Sequence, residues 1–170
     1  MKVTGYFLRE KIREWELRRN MANEQFPKSL KTFKDEKKRT PVEVVADFEK
    51  AERAIAYIQA AQARYNLGVE VSVLSEKMTL CEAVKRVGGA GRVEALWRSA
   101  AGGKKDRYAS YSNDDAVRKA DEVRAVATVT QEEAAKLATR AAKFAGAMRA
   151  AIATGNATVV DMELDTALIE

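Results

Sequence analysis

TPVEVVADFEKAERAIAYIQAAQARYNLGVEVSV, residues 40–73, is the stretch whose reading decides the fold. It opens with Thr40, Pro41 and Glu43 at the N-cap, N1 and N3 positions of a capping box. The threonine hydroxyl accepts from the N3 amide, the glutamate reaches back to the N-cap amide, and proline's missing N–H costs nothing at N1. Val44, Phe48, Ala51, Ile55, Ile58 and Tyr65 then recur at alternating spacings of four and three, with Gln62 in the one polar place. This heptad seam predicts a helix roughly 35 Å long, lying against another long helix at a shallow angle as in a coiled coil. Asn66-Leu67-Gly68 ends it, and Val69, Val71 and Val73 alternate with polar residues as a short half-buried strand does.

The same Thr-x-x-Glu signature returns at Thr79 and Thr130 and places two further helix starts. The helix from Thr79 uses Leu80, Val84 and Val87 before it meets Gly88-Gly89-Ala90-Gly91, and periodicity resumes through Val93, Leu96 and Trp97 to Ala101. Each glycine costs a helix about 1 kcal/mol, so the run marks a break, a kink or a close approach of another backbone or ligand. The helix from Thr130 runs to about Ala153 on a seam of Ala134, Leu137, Ala141, Phe144, Met148 and Ala151, with Gly155 just past its end. Val160, Met162 and Leu164 follow as a strand. Upstream, Leu8, Ile12, Trp15, Ala22 and Phe26 keep the four-and-three spacing once Arg19 is counted, giving a helix from about Thr4 to Gln25 that Pro27 ends. Residues 28–39 form a basic connector, partly helical through Leu30 and Phe33. A capped turn is expected after Asn113 and a strand over Val123, Ala125, Ala127 and Val129.

Two long helices thus end in asparagine followed by a valine-rich strand. The expected fold is mostly α, an antiparallel bundle of about four long helices with a small β-ribbon or sheet at one end. At 170 residues and 46% hydrophobic content the chain suits a single domain, made of a basic N-terminal helix and connector (1–39), a helical hairpin core (40–102) and a strand-helix-strand unit (113–165).

That order resembles a family of small bacterial proteins labelled septicolysin-like. The residues that carry the resemblance are the N-terminal helix, Arg64-Tyr65-Asn66, the start at Met78-Thr79-Leu80-Cys81-Glu82-Ala83-Val84, Arg107-Tyr108, the stretch Val126-Ala127-Thr128-Val129-Thr130, and Asn156. It spans nearly the whole chain and departs at Gly88 to Gly91, where the family's third helix is continuous and charged. The resemblance implies a helical-hairpin fold with a small β element; nothing in these residues supports the haemolysin that the label suggests.

The chemistry is marked by what is missing. There is no histidine, which removes the commonest general base, the Ser-His and Cys-His pairs and most metal sites, and the one cysteine, Cys81, reads as a small apolar filler. The adjacent acids Asp114-Asp115, Asp121-Glu122 and Glu132-Glu133 point in different directions on a helix, and the last pair suits a helix N-terminus. No cofactor and no enzymatic activity are expected. No apolar run reaches the ~18 residues that span a bilayer, so a cytoplasmic protein is expected.

Charge is unevenly spread: residues 1–39 hold twelve Lys or Arg against six Asp or Glu, and the remainder holds eighteen against nineteen. A basic head and an acidic tail (Asp161, Glu163, Asp165, Glu170) suit head-to-tail association. The long seams and edge strands offer more apolar surface than one thin bundle covers, which points to a non-enzymatic homo-oligomer acting by binding or assembly. Arg92 beside the glycine run, with Lys104, Lys105, Arg107 and Tyr108 in a basic loop, forms a candidate site for an anionic small molecule such as a nucleotide held between subunits. Gly88 to Gly91 lack the Gly-Lys-Ser/Thr ending of a phosphate loop. A second class is nucleic-acid binding by Arg18, Arg19, Lys37, Lys38 and Arg39, interleaved with Trp15, Phe26 and Phe33. A third is membrane action through amphipathic residues 1–26, whose polar face mixes Glu10, Glu14 and Glu16 with arginines.

Overall fold

The computed structural model describes residues 1–31, 38–102 and 128–169. Four long helices carry the chain: α1 (Gly5–Ser29), α2 (Pro41–Gly68), α3 (Leu80–Ala101) and α4 (Gln131–Ala157). Short strands β1 (Lys2–Val3), β2 (Glu70–Val73), β3 (Glu76–Thr79) and β4 (Val160–Asp161) sit at their ends, and a 3-10 turn (Thr166–Leu168) closes the chain. The fold is mostly α with a small antiparallel β part. The strands do not form one ribbon. β2 pairs with β3 in a hairpin that sets Val73 opposite Glu76, and β1 pairs with β4, Val3 opposite Val160. β1 and β3 lacked a sequence signal because one is two residues long and the other carries a single apolar side chain, Met78, facing the core.

The capping chemistry holds where Thr40 and Thr130 start α2 and α4: each hydroxyl accepts from the N3 amide, and Glu43 and Glu133 accept from the cap amides at 2.7 and 2.9 Å. At α3 only half of the box forms. Thr79 accepts from Glu82 N–H at 3.1 Å, but the Glu82 carboxylate turns to Arg86, one turn on, at 3.1 Å. Thr79 is itself a strand residue opposite Glu70.

Pro27 does not end α1, which continues to Ser29. A proline so near the C-terminus removes a single bond, to the carbonyl four residues back, and leaves few turns to disrupt. α3 runs unbroken through Gly88 to Gly91, and α4 continues past Ala153 to Ala157 with Gly155 inside it. The turn expected after Asn113 and the strand expected over Val123, Ala125 and Ala127 lie outside the described residues, and Val129, at the end of that expected strand, is in a bend before α4.

α1 packs along α2 and α3 along α4, while the two hairpins touch chiefly at the end that carries the strands. The core lies there. Leu8, Ile58, Tyr65, Val73, Leu80 and Met148 are buried within it. Two glycines make the junction close: a Cβ on Gly5 would stand 2.5 Å from Asn156 Oδ1, and one on Gly155 would stand 2.6 Å from Val71 Cγ1. Away from this end α3 buries nothing completely beyond Leu80 and Ala83, and Val93 and Leu96 remain exposed.

Candidate anion-binding face

Because α1 and α2 run antiparallel, the second half of α1 faces the start of α2. Trp15 occupies the seam between them and is only 3% exposed. Arg18 lays its guanidinium 4.3 Å from the Trp15 ring centroid, and Lys50 of α2 brings its ammonium to 5.7 Å from the same ring. The ring quadrupole draws both cations and fixes two flexible side chains near one another. Arg39, the residue before the α2 N-cap, donates to Asp47 Oδ2 at 2.5 Å.

Around these groups lies a cleft of about 250 Å³, lined by Trp15, Arg18, Gln25, Arg39, Asp47 and Lys50. A second cleft of about 250 Å³ neighbours it, bounded by the same Gln25 and Arg39 together with Lys28, Lys38 and Val44. Among the described residues, five cations and one carboxylate therefore border two neighbouring clefts. Arg18, Gln25 and Lys28 share one flank of α1 at helical spacing, whereas Asn23 and Phe26 fall on the other. That opposite flank holds a third cleft, about 200 Å³ and apolar, against Val45 and Phe48.

Of the residues nominated as a nucleic-acid site, Arg18, Lys38 and Arg39 are thus brought to one face. Arg19 is not among them: it takes its place in the seam and donates to Glu52 of α2 at 3.3 Å. Lys37 lies outside the described residues. Lys28, Lys50 and Asp47 were missed by the sequence reading; the available signal was that residues 47 and 50 lie one turn apart on the α2 flank that meets Arg39.

The other nominated site is not assembled among the described residues. Arg92 is exposed on α3, and Lys104, Lys105, Arg107 and Tyr108 lie outside them. The amides of Gly88 to Gly91 belong to a continuous helix, so no kink turns them outward as anion donors. Beside them is an apolar groove of about 380 Å³, lined by Gly89, Ala90, Val93, Ala141 and Phe144, with Arg86 at its edge. Arg86 is held by Glu76 at 2.7 Å and Glu82 at 3.1 Å; hydrogen bonding to Arg86 lowers the pKa of Glu76.

The shifted carboxylates of the capping boxes are likewise structural. Glu43 is lowered first by the Thr40 amide, then by the Thr40 hydroxyl and, after the opposing effect of desolvation, by the Arg39 charge; Glu133 is lowered by the corresponding groups of Thr130. Among the described residues no cluster of three or more His, Cys, Asp or Glu could hold a metal ion. No helix among them is long and apolar enough to cross a membrane.

No family model and no curated protein matches the chain. Among solved structures, that of a functionally unknown conserved protein from Corynebacterium diphtheriae is similar, at 20% sequence identity and a TM-score of 0.61, over 95% of this chain and 100% of that one. At this identity the likeness is one of fold, and it runs the length of the architecture.

Proposed function

We propose that the protein is a non-enzymatic helical binding protein that captures phosphate-rich anions, nucleotide or nucleic acid, on the α1–α2 face, and that it does so in the cytoplasm. One observation carries this reading: Arg18, Lys28, Lys38, Arg39 and Lys50 border two neighbouring clefts, and Asp47 is the only acid among the described residues that line them. Cations placed around a concavity focus potential there and attract multiply charged anions. The reading is tested by titrating a fluorescent single-stranded oligonucleotide across a range of salt concentrations. Each phosphate neutralised contributes about −0.7 to the slope of log K against log salt, so a face engaging three to five phosphates gives a slope of roughly −2 to −4. Oligonucleotide binding that is flat with salt, or the absence at low salt of binding to both the oligonucleotide and inorganic tripolyphosphate, refutes the reading.

A second reading, self-association, is favoured by the outer side of α3. Val93 and Leu96 are 47% and 70% exposed, and a Cβ on Gly89 would meet nothing within 4 Å, so its helix cost is not offset by packing among the described residues. Light scattering of the pure protein at micromolar concentration decides it. A strict monomer removes this reading and leaves the anion face untouched.

A further inference from the structure

Resting on the anion-binding reading of the α1–α2 face, we propose that its ligand is an oligophosphate chain, inorganic or the phosphate tail of a nucleoside triphosphate, lying across the two neighbouring clefts with Arg39, which lines both, between them.

The choice among phosphate anions follows from what the face offers. Recognition of single-stranded nucleic acid combines cations with aromatic platforms on which bases stack. Among the described residues the one aromatic side chain lining the cationic clefts, Trp15, is 3% exposed and gives its ring to Arg18 and Lys50. Phe26 and Phe48 line the third cleft, on the other flank of the helix pair. The described residues of the cationic face therefore offer charge and no exposed ring on which a base would stack. A duplex presents a broad convex backbone that would bridge clefts of about 250 Å³ rather than fill them. Consecutive phosphates joined through single bridging oxygens carry the densest charge a small ligand can bring, and they match cations lined along a narrow concavity.

Asp47 shows where an oxyanion sits. Its carboxylate holds the Arg39 guanidinium at 2.5 Å in the place a phosphate oxygen would take, and Arg39 offers the planar fork that accepts either group. Binding then exchanges one charge-assisted partner of Arg39 for another. Arg18 and Lys50, already positioned by the Trp15 ring, lose less freedom on meeting the ligand than unsupported side chains would.

The test is isothermal titration calorimetry of the full chain with three probes: inorganic tripolyphosphate, orthophosphate, and an oligodeoxythymidine lacking a terminal phosphate. Tripolyphosphate should bind about tenfold or more tighter than orthophosphate, as added charge-assisted contacts require. The double substitution Arg39→Ala, Lys50→Ala should weaken it about tenfold or more, with melting by circular dichroism checking the fold. Asp47→Asn should tighten it, because the competing carboxylate charge is gone; a change confined to packing would leave affinity unmoved or weakened. Equal affinity for orthophosphate, or binding that persists in the double variant, overturns the proposal. If the oligonucleotide binds while tripolyphosphate neither binds nor displaces it, the oligophosphate assignment falls and the broader anion reading stands. If neither probe binds, both fall.

Discussion

Tyr65 of α2 places its hydroxyl oxygen 2.7 Å from the carbonyl oxygen of Gly155 in α4, joining the two helical hairpins at the end where they meet. The Thr158 carbonyl, beyond the end of α4, lies 2.6 Å from the same hydroxyl. The hydroxyl is thus the polar contact between a helix of one hairpin and the terminus of a helix of the other. Removing it in Tyr65→Phe leaves both carbonyls without that donor and should destabilise the fold by about 1–3 kcal/mol. Urea denaturation checks this; an unchanged midpoint would mean that solvent replaces the hydroxyl.

Alkaline pH should expose the same contact. Burial pushes the Tyr65 phenol above its ordinary value of 10.0. A raised folded value means that the stability it contributes is fully present below the unfolded value and is lost as pH rises through the folded one. The melting temperature of the native protein should therefore fall more steeply above pH 10 than that of Tyr65→Phe. Parallel curves would refute the assignment.

Gly155 matters for its lack of a side chain. A Cβ there would stand 2.6 Å from Val71 Cγ1 and 3.0 Å from Leu80 Cδ1, so α4 can lie against the β2–α3 junction only with glycine at this point. Overpacking of this kind costs about 1–3 kcal/mol, against roughly 1 kcal/mol that alanine recovers through helix propensity. Gly155→Ala should lower the urea midpoint.

The acid limb of stability should belong in part to the capping boxes. Hydrogen bonds from the Thr40 and Thr130 amides and hydroxyls hold Glu43 and Glu133 below the ordinary carboxylate value of 4.5. A lowered folded value contributes stability that is present above the unfolded value and is lost as pH falls through the folded one. In the double variant Glu43→Gln, Glu133→Gln, melting temperature should depend less steeply on pH below about 4.5. An acid limb identical to that of the native chain would show that the boxes do not titrate with folding.

Helix starts and seams were legible because their signals are local. Thr40 and Thr130 announce their caps within four residues, and Val44 to Tyr65 repeat at a period only a helix satisfies. What sequence left open depended on tertiary neighbours. Gly155 read as a residue past a helix end, since nothing local reveals that Val71 of β2 and Leu80 of α3, far away in sequence, press on it. Gly88 to Gly91 read as a break or a kink, yet the helix continues through them. The anion face was half visible: Arg18 and Arg39 stand out in a basic segment, but Lys50 joins them only because α1 folds back on α2 and Trp15 draws it in. Arg19 was misplaced for the same reason, as its seam position brings Glu52 within reach.

Gly89 offers the opposite case to Gly155, and separates chain stability from assembly. It lies inside α3 with open space where a Cβ would be, so no contact among the described residues requires glycine. Alanine there removes backbone freedom from the unfolded chain and should stabilise the monomer by about 0.5–1 kcal/mol. Thermal melting at low concentration reads that gain. Light scattering of the same variant then reads the second consequence. If copies pack through this side of α3, where Val93 and Leu96 are exposed and the groove against Phe144 opens, the added methyl should hold helices apart and shift the population toward monomer. A variant that melts higher and associates as the native chain does would leave the anion face as the protein's binding surface and remove α3 from assembly.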